Sequence, residues 1–347
     1  MNNKEFQDIY KCVFGDSEEW RRWFFDEVVD SSCCISISRD GAGKATGCLM
    51  MQPFGFLFHN ALVRSEYMSC VATRPEARQH GVAGKLIADA LRQARGRGSA
   101  LCCLIPAEDR LYFFYDRFGF ATTFYIDRER YTSLHTFPGG SVAEVEPTFE
   151  LFSRLEKSFG CGVVHDRTCF CHAVADNRLE GGHIVAVRDP HDGAEAMLFA
   201  VVGERAAKVK CLLADNAAVA DGALAVLRSR IGEKSVTVER PPLSGEKCFL
   251  RSFGMSRVLN PEPLLSAIAS AHPGLNYSLR LTDPLMPENS GIYTIRDGEC
   301  RRPCAYGGHI DLECSIDTFA AAIFSSEGIG NVLDLPSRRP YMALMLD

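Results

Sequence analysis

The chain has 347 residues, 46% hydrophobic and 24% charged, ordinary proportions for a globular protein with material for two or three domains. Its formal net charge of -6 is spread without a long basic block, which argues against nucleic acid as the main partner. No run reaches the roughly 18 apolar residues of a membrane-crossing helix, and the polar opening MNNKEFQDIY has no apolar leader stretch, so a cytoplasmic protein without a membrane partner is expected.

In chain order, Phe6, Ile9, Tyr10, Val13 and Phe14 recur at helical spacing. Asp16 followed by Glu19 reads as a capping box for a second helix carrying Trp20, Trp23, Phe24 and Val28. Strand-like runs follow over 33–38, 46–52 and 66–73, separated by turn signals at Asp40-Gly41-Ala42-Gly43 and His59-Asn60. A strongly periodic helix carries Val82, Leu86, Ile87, Ala90, Leu91 and Ala94 and ends at Gly96 and Gly98. A buried strand over 99–105, a short helix over about 108–116 and a strand after Gly119 complete an α/β layer pattern.

Pro138-Gly139-Gly140 marks a boundary. A second α/β stretch, about 145–256, has a helix near 148–159 and strands near 183–188, 196–202 and 208–213. A helix near 219–231 and a strand near 235–239 close it. Its order echoes the first segment, but its turn ADNAAVADGA offers no comparable cradle for a phosphate. The last stretch, from about 257, reads as a small α+β unit with helices near 263–271 and 316–324 and strands near 276–281, 291–295 and 310–314.

The 15 cysteines mostly fall inside apolar runs such as SALCCLI, where a free thiol behaves as a small hydrophobe, and reduced thiols are expected. Cys161, His165, Cys169, Cys171 and His172 cluster in sequence without a usual zinc-ligand spacing. Buried thiols beside surface histidines are the expectation there, and no metal is expected.

The strongest chemical signal is Arg78-x-x-Gly81-x-Ala83, set between a strand and the best helix of the chain. A strand feeding a loop and then a helix N-terminus gathers inward-pointing amides into an anion site. Gly81 permits a positive φ, small Ala83 and Gly84 keep side chains out, and Arg78 adds charge, so a pyrophosphate is the expected ligand. A second element, Tyr115-Asp-Arg-Phe-Gly119-Phe120, lies at a fitting distance downstream. An ordinary strand-to-helix turn is the alternative for the first motif, and core packing of Tyr115 for the second.

Together these residues resemble the GNAT acetyltransferase superfamily over roughly residues 1–130. The V-x-P-x-x-R/Q-x-x-G-x-G/A segment is matched with one residue inserted before Pro75, and the Y-x-x-x-G-F element at Tyr115 to Phe120. The whole chain also resembles the enhanced-intracellular-survival (Eis) type. That resemblance implies an α/β (α+β) architecture of three units: a catalytic GNAT lobe over 1–140, a degenerate GNAT-like lobe over 141–256, and a sterol-carrier-protein-like (SCP2-like) unit over 257–347. Leu281-Thr-Asp283-Pro, Asn289-Ser-Gly291-Ile-Tyr and Gly308-His-Ile-Asp311-Leu carry the last likeness.

The resemblance further implies an acetyl-CoA-dependent N-acetyltransferase in which an amine attacks the thioester directly. Backbone amides of Cys70, Val71 and Thr73 would face the acyl and pantetheine groups, and Arg78, Gln79, His80, Gly81, Val82, Ala83 and Gly84 the pyrophosphate. Tyr115 would be the general acid, with Tyr112 its rival, and Asp347 the base. Trp20, Trp23 and Phe24 come from the helix pair that lines the acceptor site in such folds, with core packing as the other reading. A small-molecule amine is the expected acceptor. A protein lysine or N-terminus, or a non-enzymatic CoA- and lipid-binding role, are the alternatives. A closed homo-oligomer, of which a hexamer is one form, is also implied.

Overall fold

The computed structural model describes residues 3–241, 250–324 and 339–346. Helix α1 (Asn3–Val13) and helix α2 (Glu18–Trp23), continued by a wider turn over Phe24–Val28, pack aromatic rings edge to face. Phe6, Ile9, Tyr10, Phe24, Phe25 and Val28 are buried. The cap of α2 is Ser17 rather than Asp16. Ser17 is extended and its Oγ accepts from the Trp20 amide at 3.1 Å, while Asp16, one residue too early, accepts from the Tyr10 hydroxyl at 2.7 Å.

Strands β1 (Cys34–Arg39), β2 (Ala45–Phe58) and β3 (Ala61–Thr73) form an antiparallel meander, the last two longer than their apolar runs suggested. His59 and Asn60, at φ 46° and 64°, make the two-residue hairpin between them. Helix α3 (Val82–Gly96) crosses over to β4 (Leu101–Leu104), which pairs parallel to β3. Helix α4 (Asp109–Asp116) and strand β5 (Ala121–Tyr131) follow.

The next elements are β6 (Ala143–Glu144), α5 (Phe149–Ser158), β7 (Gly162–Val164) and α6 (Arg167–Leu179). Strands β8 (His183–Arg188), β9 (Glu195–Val202) and β10 (Ala206–Ala214), helix α7 (Ala217–Ile231) and strand β11 (Ser235–Arg240) continue the chain. Pairing of β11 with β5 fuses this second stretch to the first. Helix α6, unassigned from sequence, carries Cys169, Cys171 and His172, while Cys161 and His165 flank β7 and are buried. Among the described residues no group of three His, Cys, Asp or Glu side chains is arranged to hold a metal ion.

Strand β12 (Leu250–Val258) then returns to the first stretch and inserts antiparallel between β4 and β5, completing a sheet of 12 strands among the described residues. Helix α8 (Pro261–Ala271), strands β13 (Tyr277–Thr282), β14 (Gly291–Arg296), β15 (Glu299–Arg301) and β16 (Leu312–Ser315), and helix α9 (Ile316–Phe324) form a four-stranded sheet with its helices. Arg257 at the end of β12 is fully buried and bonds both oxygens of Asp283 at 2.7 and 2.8 Å. Asn289 Nδ2 donates to the same carboxylate at 2.9 Å, and the Asp283 amide to Ser290 Oγ at 2.9 Å. The Asp283 and Asn289 motifs noted in the sequence therefore meet around one buried cation.

The tail over 339–346 closes back onto the molecule. The Val163 amide donates to Tyr341 O at 2.9 Å, and the Tyr341 amide to Cys161 O at 3.1 Å. Gly162 sits at φ 142°, where a Cβ would lie 2.2 Å from Tyr341 O, so only glycine admits the tail. Leu346 is buried with Cys48, Met50 and Ala72 of β2 and β3, and Cys70 packs against the same cluster.

Candidate functional site

The register of β2 and β3 runs Cys48↔Ala72 and then Met50↔Ser69, so two residues of β3, Cys70 and Val71, oppose one of β2. Cys70 takes φ 55° to make this bulge. On the other edge, β3 pairs with β4 only from Ser65↔Leu101 to Tyr67↔Cys103, and the strands then part. The rest of β3, including Cys70, Val71 and Thr73, thus runs on without β4 as a partner. An extended group can lie against such a strand edge and use its amides.

Beyond Thr73, a short turn over Pro75–Ala77 leads to Arg78, Gln79, His80 and Gly81, all exposed. Gln79 at φ 66° and Gly81 at φ 77° bend the chain into α3, whose N-cap is Gly81. No side chain caps this helix end, so the first-turn amides of Val82, Ala83 and Gly84 are left for another acceptor. Space beside Gly81 is open, and its need is for the positive φ alone. Gly84 serves packing as well, because a Cβ there would stand 3.3 Å from the Phe118 ring. Arg78 Nε reaches Thr73 O at 3.3 Å, and His80 Nδ1 lies 2.7 Å from Arg78 O. The corresponding helix of the second stretch differs: Asn216 caps α7, its Oδ1 accepting from the Val219 amide at 2.9 Å. That occupies one of the donors a phosphate would need.

Tyr115 on α4 is buried in the cluster formed by Leu49, Met68, Leu104, Phe120 and Met255, against which Val71 packs. Its ring meets Phe114 and Phe120 edge to face, and Val71, from the part of β3 that β4 leaves unpaired, packs against the same cluster. Tyr112 is partly buried. Burial, the nearby Asp109 carboxylate and Tyr125 push its phenol up to about 12, which weakens it as a proton donor.

A cavity of about 430 Å³ opens where the first and second stretches meet. Trp20, Ile105 just beyond β4, and Phe253 of β12 line it, together with Leu344 and Met345 of the tail. Trp20 stacks on Phe24 at 4.9 Å and donates its indole N–H to Asp176 Oδ1 at 2.7 Å. Phe24 is core behind it and does not line the cavity, and Trp23 turns edge-on to His172 at 6.3 Å. Of the three aromatics marked in the sequence, Trp20 alone lines this cavity. Asp347 lies outside the described residues.

The cavity also holds charges that the sequence did not single out. Asp176 in the last turn of α6 and Glu180 at its C-cap face Lys210, with Lys210 Nζ 3.7 Å from Asp176 Oδ2 and in contact with Glu180. Glu239, 5% exposed, takes Arg128 at 2.7 Å on one oxygen and Lys208 at 3.1 Å on the other. Burial raises the Asp176 carboxyl above the usual carboxylate range, with the Trp20 bond and Lys210 opposing it. Local spacing places Asp176 and Glu180 on one helix face, but nothing in it brings them to Trp20, more than a hundred residues away.

Residues 2–123 match the family model described as an acetyltransferase (GNAT) domain. Across almost the whole chain, the fold is similar to a conserved Enterococcus faecalis V583 protein described as a probable N-acyltransferase: 16% identical, TM-score 0.78, covering 98% of this chain and 95% of that one. It is also similar to a GCN5-related N-acetyltransferase from Anabaena variabilis ATCC 29413, at 15% identity and TM-score 0.74, covering 97% and 94%. Eis1 from Mycobacterium abscessus is 12% identical with TM-score 0.70, covering 99% and 95%. At these identities the likeness is one of fold. No curated protein sequence matches the chain significantly.

Proposed function

We propose that this chain, which carries a GNAT acetyltransferase domain over residues 2–123, is an acetyl-CoA-dependent N-acetyltransferase acting on a small primary amine. The observation that carries the reading is the early parting of β3 and β4 beside an uncapped helix N-terminus at Gly81. The parted strand edge suits the pantetheine arm, and the α3 amides with Arg78 suit the pyrophosphate. Acetyl-CoA supplies the activated acetyl group. Amides of the 70–73 segment stabilise the charge developing on its carbonyl oxygen, worth about 3 kcal/mol per donor elsewhere. As the amine nitrogen bonds to the acyl carbon and the C–S bond breaks, the Tyr115 hydroxyl gives its proton to the departing thiolate. The proton lost by the amine goes to a carboxylate of Asp347. Burial of Leu346 beside Ala72 and Cys70 supports that assignment.

The cavity at Trp20 receives the acceptor in this reading, and its volume of about 430 Å³ suits a small molecule. Only the first lobe binds acetyl-CoA, the second and third lobes serve as support, and the protein works as a closed homo-oligomer in the cytoplasm. Calorimetric titration with acetyl-CoA tests the core of the reading: Gly81→Val should abolish binding while leaving the circular dichroism spectrum unchanged. Unchanged affinity in that variant would overturn it.

A further inference from the structure

We propose that the acceptor is an amine that also carries a carboxylate, a diamino acid in class, rather than a simple polyamine; this rests on the acetyl-transfer reading above. Its basis is the uneven sharing of charge across one cavity. On the α6 side, two carboxylates, Asp176 and Glu180, share one ammonium, Lys210. On the β11 side, one carboxylate, Glu239, is shared by Lys208 of the wall and by Arg128, which neutralises it from outside the cavity lining. The first wall keeps an excess negative charge and the second an excess positive one. A purely cationic acceptor would be attracted by the first and repelled by the second. A molecule with both signs satisfies each.

The two walls are ordered relative to the reacting end. Trp20, bonded to Asp176, stacks on Phe24, and Phe24 packs in the cluster that holds Cys48 and Ala72 and adjoins Cys70. The negative wall therefore belongs to the side of the parted strands, where the amine must go. Lys208 and Lys210 stand two residues apart on β10, about 6–7 Å along the strand. The register skips between Val209 and Cys211, which re-aims Lys210 at the helix carboxylates while Lys208 stays with Glu239. Such a spacing suits a carboxylate held away from a reactive amine by an aliphatic chain. Ile105, Phe253 and Met345 supply apolar walls for that chain.

The test uses the full-length protein, acetyl-CoA and matched acceptors: L-lysine against cadaverine, and L-ornithine against putrescine, followed by CoA thiol release. We expect kcat/KM at least tenfold higher for the amino acid of each pair. Lys208→Met should lower kcat/KM for lysine at least tenfold more than for cadaverine, shrinking the preference. Equal or better turnover of the diamines, or an equal loss for both acceptors in Lys208→Met, overturns the proposal. Acetyl-CoA calorimetry on the same preparation separates the two failures. Absence of binding overturns the acetyl-transfer reading itself. Binding with no preference for the carboxylated acceptors, including no turnover of any, overturns only the diamino-acid assignment.

Discussion

Asp283→Ala removes the sole side-chain carboxylate bonded to Arg257 among the described contacts, at a site where both side chains are wholly buried. The guanidinium keeps a bond to Val258 O at 3.1 Å, but its charge is left uncompensated. Breaking a buried pair from one side costs about 3–5 kcal/mol. The carboxylate also accepts from the amides of Leu285 and Met286 at 3.2 and 3.0 Å, which are orphaned too, and from Asn289 Nδ2, which keeps its bond to Leu259 O at 3.0 Å. With an unfolding entropy near 2.1 cal/mol/K per residue, a chain of this size should lose about 4–7 °C in Tm. Scanning calorimetry reads that shift directly. A double variant, Arg257→Met with Asp283→Leu, should recover part of the loss, because both charges leave together, but not the part owed to the orphaned amides. A shift under about 1 °C in Asp283→Ala would refute the view that this pair locks β12 against the four-stranded sheet.

Tyr115→Phe should lower kcat about 10²–10⁴-fold with acetyl-CoA affinity unchanged, checked by thiol release and calorimetry. Acetyl-CoA should saturate at one site per chain, since Asn216 already caps α7, and a titration giving two sites would refute this. Asp176→Asn should raise the KM for the amine at least tenfold. Because burial raises the Asp176 carboxyl, it gains a proton sooner than an ordinary aspartate as pH falls. Amine affinity should therefore weaken on the acidic side in the parent protein, and that limb should vanish from the pH profile of the Asn variant.

What was legible in the sequence was local. The spacing of Leu86, Ile87, Ala90, Leu91 and Ala94 gives α3 one buried face, and all five are buried. Helix α9 and strand β8 fall where their apolar patterns place them. Two elements that build the site were not legible. Strand β12, LRSFGMSRV, carries two arginines, two serines and a glycine, a poor strand signature. It is tolerated in the sheet centre because Asp283, 26 residues later, neutralises Arg257. Helix α6, RTCFCHAVADNRL, buries only Phe170, Ala173 and Asn177, too narrow a stripe to stand out. Since the cavity's charges come from α6, β10 and β11 against a wall from α2 and β12, no spacing rule could assemble them.

The tail offers a way to separate folding from catalysis. Gly162→Ala places a Cβ 2.2 Å from Tyr341 O and 2.7 Å from Tyr341 N, both backbone atoms that cannot rotate away. The alanine must also hold φ 142°, which L side chains avoid. The tail must therefore leave β7, giving up the Val163–Tyr341 and Tyr341–Cys161 hydrogen bonds. Leu346, buried beside Ala72, would follow, at about 1.5–3 kcal/mol for its side chain, and Leu344 and Met345 would leave the cavity wall. Hydrogen exchange should then quicken at the amides of Val163 and Tyr341 while the amides of β9 and β10, strands paired on both edges, stay protected. Turnover should fall far more than stability, because the tail walls the cavity yet contributes a single short bridge to the sheet. Leu346→Ala, which keeps the bridge, should give a smaller loss of the same kind. If Gly162→Ala exchanges freely at Tyr341 and still turns over at the parent rate, the tail takes no part in the reaction.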